Sequence, residues 1–475
     1  KDSGLPKVFQ LLELNLQVKY LDLGANDLCD DSMIAMLDIV RNIPLKSLQL
    51  GSYDDMYQPN RFTRESLEAI MAEICISNQL ECFGIGGIGS IKQKKTQKAK
   101  KFSKHLSKLL VTCDKLLTLN ISKCNLVDSD QSILAAGFSE NKNLKYLDIH
   151  DNYFPSGTRL VDGITNLDKL IYLNLSHCSL CEAACRSLSK KLGEGWTLIS
   201  LNISDNEQIG TEGINELISV LSSNIYLVSL NISNTGFDER VNVQLGKLFE
   251  NNCILQELDL SSNDLGDSFT ESFSSLTLHS LSLTTCRISD QGAINLAKIL
   301  TNNKTLKKLS LKNNFLTKAS GYDLVKLFQQ NETLTAIDLS SSQIDCFASE
   351  AIRTICTRNK TTHHTNKLDK LRKEYVHLSI QDSKIPGVSK HLKELCDEHV
   401  QLEEEIESLQ GRIELHDSST SISIKNVKKE IEELNKAIEA QEEQIEEMQT
   451  KIAEMNQESE ISLKRYELDS QREQR

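Results

Sequence analysis

The stretch "LKYLDIHDNYF", residues 144–154, returns as "LQELDLSSNDL" at 255–265 and as "LKKLSLKNNFL" at 306–316. All three fit Leu-x-x-Leu-x-Leu-x-x-Asn/Cys-x-Leu. The first position of that pattern falls at Val18, Leu45, Leu80, Leu116, Leu144, Leu170, Leu198, Leu227, Leu255, Leu278, Leu306 and Leu334. Six of the eleven spacings between these twelve anchors are 28 or 29 residues. The second and third spacings are 35 and 36, and the step from Leu255 to Leu278 is 23. Self-similarity at a fixed period is the mark of a stacked repeat. Leu147 and Ile149 alternate with polar neighbours, so they point inward from a short strand. The Asn or Cys site (Asn152, Asn263, Asn314; Cys124, Cys178, Cys286) turns the chain after the strand. A buried amide there can satisfy backbone groups of neighbouring turns.

The second half of each repeat reads as helix. "GTEGINELISVLSSN" (210–224) sets Ile214, Leu217, Ile218 and Leu221 on one helical face. "DQGAINLAKILTNN" (290–303) is expected to do the same with Ile294, Leu296, Ile299 and Leu300. No single repeat can bury such a stripe alone, so stability comes from stacking. A last helix is expected at 349–359.

This strand-plus-helix repeat resembles the ribonuclease-inhibitor class of leucine-rich repeats, over roughly Val18 to Asn359. The resemblance implies an α/β horseshoe solenoid, with parallel strands on the concave side and helices outside. The domain reading is a solenoid over 1–366, a linker with a short helix over 367–390, and a coiled coil over 391–475.

Composition agrees with a solenoid joined to a charged tail. Of 475 residues, 39% are apolar and 5% aromatic, with a net charge of -13. No run of 18 apolar residues occurs, so no transmembrane helix is expected. The 13 Cys show no metal-ligand spacing; Cys181 and Cys185 form C-x3-C without a second pair. They read as free core thiols in a reducing compartment. Asn120, Asn174, Asn202 and Asn231 open N-x-S sequons, but all four share one strand position, so a repeat that favours "LNIS" explains them better than glycans.

Few residues suggest chemistry. Gly84-x-Gly86-x-x-Gly89 matches the dinucleotide fingerprint in form. Phe83 and Ile85 are inward strand sites of the third repeat, so these glycines read as strand and turn. No cofactor or metal is expected, and no nucleophile with an ordered base is visible. Tyr146, Asp148 and His150 share one strand, and Tyr172 and His177 belong to the next. At an inter-strand distance of about 4.8 Å they would form one concave patch, read either as ordinary surface variation or as a partner-binding spot, since Tyr anchors interfaces. Lys92, Lys94, Lys95, Lys98, Lys100 and Lys101 crowd ten residues. They read as a solvated convex insertion, or as a patch for acidic lipid, an acidic protein surface or nucleic acid. The lack of interleaved aromatics and the acidic total argue against nucleic acid.

Residues 367–475 carry -9 of the net -13. Leu392, Leu395, His399, Leu402, Ile406, Leu409 and Ile413 alternate spacings of 3 and 4, as do Ile424, Val427, Ile431, Leu434, Ile438, Gln441, Ile445, Met448 and Ile452. That is a coiled-coil seam. Its phase slips between Ile413 and Ile424, around a break at 416–421. The break fits an antiparallel hairpin or one long parallel-dimerising helix; homodimer and heteromeric coil both remain open.

Curved sheet and directional coil together indicate a non-catalytic scaffold for other proteins. The combination is similar to leucine-rich-repeat and coiled-coil adaptors of the cytoskeleton, cilia and centrosomes, and to the CARMIL family, although no pleckstrin-homology domain precedes the repeats. These resemblances imply a cytoplasmic location, at the cytoskeleton or cilium. Ran GTPase-activating proteins also resemble this repeat class and end acidic, which with Arg287 after Cys286 raises an enzyme-regulating alternative. Here the tail is heptad-patterned instead of a plain acidic block.

Overall fold

A computed structural model describes residues 4–14, 17–51, 59–88, 99–271 and 276–362. Twelve three-residue strands form a single parallel sheet in sequential order. They start at Tyr20, Ser47, Cys82, Thr118, Tyr146, Tyr172, Ser200, Ser229, Glu257, Ser280, Lys308 and Ala336. Each start lies two residues after one of the twelve anchors, so the motif alone located every strand. Neighbouring strands pair in strict register; Leu147 stands opposite Leu119 and Leu173. The two long repeats and the short one keep this register, because their differences in length fall between strands. This is an α/β solenoid, with helices returning the chain from one strand to the next.

One core of Leu, Ile and Phe runs from Leu5 to Cys356. Full burial of each such side chain contributes about 1.5–3 kcal/mol, which is why stacked repeats hold together where single ones cannot. The helix Gly210–Leu221 buries Ile214, Leu217, Ile218 and Leu221, as its pattern requires. The helix Asp290–Thr301 departs from expectation. It buries Ala293, Leu296, Ala297 and Leu300, while Ile294 and Ile299 are only half-buried flanks. Small Ala side chains let this helix sit close to the strand layer, which turns the bulkier Ile pair to the rim. The step of 23 residues has no room for a full helix. A short 3-10 turn, Asp267–Glu271, takes its place. Phe269 packs there edge-on against Phe249, with ring centroids 6.2 Å apart. The last helix spans 346–362, longer at both ends than expected.

The turn after each strand is held by an alternating ladder. Asn206 Nδ2 donates to the carbonyls of Ile203 (2.8 Å) in its own repeat and Leu175 (3.0 Å) in the preceding one. Its Oδ1 accepts from the Cys178 and Leu180 amides of that preceding repeat, at 3.1 and 2.8 Å. Asn152, Asn263 and Asn314 act alike, and Asn60 does so for the first two repeats. Between them stand Cys124, Cys178 and Cys286, whose thiols donate to Ile85, Ile149 and Leu260 carbonyls at 3.4–3.6 Å. Burial pushes these three thiols up to about 12, so they stay protonated donors. All three are free, in keeping with core thiols. Thr235 fills the same site through its hydroxyl, 2.8 Å from the Ile232 carbonyl.

The sequons find their explanation at the strand ends. Asn120, Asn174, Asn202 and Asn231 accept from the amides of Ser122, Ser176, Ser204 and Ser233 at 2.9–3.1 Å. The side chain closes the chain behind the strand, an Asx-type bond that suits Asn there.

Removing Asn206 orphans two buried amides and two carbonyls, whereas removing the Cys178 thiol loses one weak donor. Asn206→Ala should cost about 3 kcal/mol, and Cys178→Ala nearer ~1 kcal/mol. Urea unfolding followed by circular dichroism measures both; equal losses would show that the ladder is not asymmetric.

Candidate functional site

Tyr146 and Tyr172 are register partners on adjacent strands, so their rings rise side by side from the concave face. Tyr146 is 44% exposed. With Thr118, Asn120 and Asp148 they line a shallow depression floored by Leu119 and Leu147. Elsewhere this face is mostly Ser, Asn and Thr, so two rings beside a carboxylate stand out. Partial burial, then the nearby Asp148 charge, raises the Tyr172 hydroxyl above its ordinary value, and a hydrogen bond with Asn174 partly offsets this.

Two residues further along each strand lies a chain of His and Asp. His150 Nδ1 is 2.6 Å from Asp148 Oδ1 and 3.3 Å from Asn174 Nδ2. Its Nε2 is 3.6 Å from Asp151 Oδ2. His177 Nδ1 contacts the other oxygen of Asp151, and Lys123 Nζ approaches the same carboxylate at 3.9 Å. Lys123, Asp151 and His177 occupy equivalent turn positions with left-handed backbone, φ 52°, 54° and 51°. Equivalent turns stack one repeat apart, which is how residues 26 apart in sequence come to share a bond. The five sequence-selected residues therefore lie together. Asp151, which joins the two histidines, was missed, and its signal was its place between Lys123 and His177 in the repeat alignment.

The remaining selected residues fare differently. Gly84 and Gly86 sit where neighbouring strands crowd: a Cβ on Gly86 would lie 2.4 Å from Asn120 Oδ1, and one on Gly51 2.2 Å from the Gly86 carbonyl. Close packing accounts for that part of the fingerprint. Lys92, Lys94, Lys95 and Lys98 lie outside the described residues, as do the Lys100 side chain and the whole coiled-coil seam from Leu395 to Ile445. Lys101, on the helix Ala99–Thr112, pairs with Glu68 at 3.1 Å. Arg287 pairs with Asp264 at 2.6 Å. Among the described residues no cluster of His, Cys, Asp or Glu could hold a metal ion, and no helix is long and apolar enough to cross a membrane.

A family model described as "Leucine Rich repeat" matches residues 197–217, 251–268 and 274–297. The solenoid is built of leucine-rich repeats. The leucine-rich-repeat chain is 29% identical over 202 residues to the ribonuclease inhibitor of Sus scrofa, covering 40% of this chain and 44% of that protein. It is 29% identical over 206 residues to that of Mus musculus, covering 41% and 45%. It is also 29% identical over 208 residues to the NACHT, LRR and PYD domains-containing protein 12 of Homo sapiens, covering 41% and 19%. The matched stretch is thus less than half of each of these relatives. Among solved structures, the leiomodin-1 actin-binding site 2 and the tropomodulin C-terminal domain of Caenorhabditis elegans are each 16% identical and overlay 39% of this chain, with 95% and 98% of their own. Their TM-score of 0.30 is too low to carry an argument about this chain.

Tyr146 is too exposed to support the core, so Tyr146→Ala should change stability by less than ~0.5 kcal/mol. Thermal unfolding checks this; a large loss of melting temperature would place the ring in a structural role instead.

Proposed function

We propose that this chain is a non-catalytic protein-binding scaffold that takes its partner on the concave leucine-rich-repeat face, centred on Tyr146, Tyr172, Asp148, His150 and His177. The observation that carries the reading is the paired Tyr rings beside a His–Asp chain on a face otherwise of small polar residues. Aromatic anchors of this kind supply most of the energy of protein interfaces. The charged groups beside them set orientation and suppress wrong partners. Repeat similarity to ribonuclease inhibitors and to an LRR-containing protein supports a binding or regulatory role over a catalytic one.

The finer reading is a cytoplasmic adaptor at the cytoskeleton. The lysines from Lys92 to Lys101 would meet an acidic protein surface or acidic lipid, and the heptads of 391–475 would join two copies or a second coil. Co-sedimentation of the full chain with actin filaments and with microtubules tests it. Pelleting with one filament, weakened at least about tenfold by the double change Tyr146→Ala and Tyr172→Ala, is the expected result. Light scattering should give a dimeric mass for the full chain and a monomeric one for a chain ending at Asn359. Monomers in both cases would remove the self-joining coil.

A second reading, an enzyme regulator, has the relatives named ribonuclease inhibitor behind it. Inhibition of a pancreatic-type ribonuclease at nanomolar chain, with no filament binding, would select it over the adaptor.

A further inference from the structure

A second ladder of Asn runs where the helices hand over to the next strand. Asn141, Asn224, Asn252 and Asn331 each reach back to a carbonyl near the end of the preceding helix, on Leu110, Leu192, Leu221 and Leu300, at 2.6–3.2 Å. Each also receives two amides of its own turn; Asn141 Oδ1 accepts from Asn143 and Leu144. Cys113 occupies this position in the repeat anchored at Leu116. Its thiol reaches back to the corresponding carbonyl, on Ile74, but at 4.0 Å, and it has no oxygen with which to receive amides. The rung is chemically out of series.

What the thiol does have is a partner. Cys75, next to Ile74 near the end of the helix Arg64–Ser77, hydrogen-bonds Cys113. Both cysteines are free; Cys113 is buried and Cys75 half-buried. Thr112 Oγ1 lies 3.9 Å from Cys113 Sγ. His105, Lys108 and Thr112 are spaced 3 and 4 apart on the helix Ala99–Thr112, so one face of that helix looks toward Cys75. Asp114 lies on the Cys113 side.

We propose that Cys75 and Cys113 are a modification site, a dithiol that a hydroperoxide closes to a disulfide, tying two neighbouring outer helices together at their ends. The environment divides the labour. The Cys113 thiol, the Thr112 hydroxyl and the positive charges of Lys108 and His105 draw the Cys75 proton equilibrium toward thiolate, whereas the Cys75 contact and burial hold Cys113 protonated. Thiolate character with access to solvent is what makes a cysteine reactive toward peroxide. The Cys75 thiolate attacks the outer peroxide oxygen of ROOH, the O–O bond breaks, and ROH leaves with one proton from solvent. The resulting Cys75 sulfenic acid is then attacked by the Cys113 sulfur. A sulfur–sulfur bond forms, the S–OH bond breaks, and water leaves with the Cys113 proton. Two thiols lose two electrons in all and the peroxide gains them. Cys124, Cys178, Cys185 and Cys286 do not compete, because burial pushes each up to about 12.

The test treats the full chain with near-stoichiometric hydrogen peroxide, blocks remaining thiols with N-ethylmaleimide and maps the peptides by mass spectrometry. A Cys75–Cys113 linked peptide should appear before any oxidation of the exposed Cys253 and Cys346, and dithiothreitol should remove it. Cys113→Ser should stop the reaction at a sulfenic acid on Cys75, trapped by dimedone. At neutral pH, Cys75 should alkylate with iodoacetamide at least about tenfold faster than Cys253. The idea fails if Cys75 reacts no faster than Cys253, or if peroxide carries Cys75 to higher acids while Cys113 stays open to alkylation.

Discussion

The amide side chain of one Asn, buried behind the strand and shared between two repeats, is the interaction on which the solenoid depends. A three-residue strand cannot satisfy its own turn, and a turn buried between two others has no water to help. Asn263 shows the solution: its Nδ2 takes the Ile232 and Leu260 carbonyls, and its Oδ1 takes the Thr235 and Gly236 amides. With those groups satisfied the chain can reverse inside the stack, and the strands before it can lie in register. The concave face inherits its order from this. Tyr146 stands beside Tyr172, and Asp151 meets His177, because the turns behind them repeat without slipping.

Variation is tolerated where that constraint is absent. The repeat of 23 residues gives up its helix for a 3-10 turn, and a Phe pair fills the space, while its strand still pairs on both sides. Rungs of the outer ladder are likewise replaceable. Trp196 bonds the Leu167 carbonyl through its indole in one repeat, and Cys113 stands in for Asn in another. The outer handover is nearer solvent, so a lost bond there costs less than one behind the strand.

The strands were legible in the sequence because one motif encodes both their position and their inward face. The helices were less so. In 290–303 two Ile fit the helical period as well as two Ala, and only packing distance decided that Ala293 and Ala297 face inward. The outer ladder was overlooked although Asn stands three residues before the anchor Leu in "NKNL", "NIYL", "NCIL" and "NETL". Hydrophobic periodicity does not report such polar rungs. The candidate patch was selected by residue type on neighbouring strands. Asp151 escaped because it lies in the turn, where side chains meet through left-handed backbone instead of strand alternation.

The inner ladder alternates strictly from the repeat of Cys124 to that of Asn314: Cys, Asn, Cys, Asn, Thr, Asn, Cys, Asn. Each Asn caps amides of the thiol- or hydroxyl-bearing repeat before it and receives no such cap from the repeat after it. The indivisible unit of this array is therefore a couple of repeats, some 56 residues long, with a giver and a taker. A genetic event that copies or deletes one couple leaves every cap in place. One that removes a single repeat sets two thiols or two amides side by side, and the array acquires a seam. Such a solenoid grows and shrinks by twos.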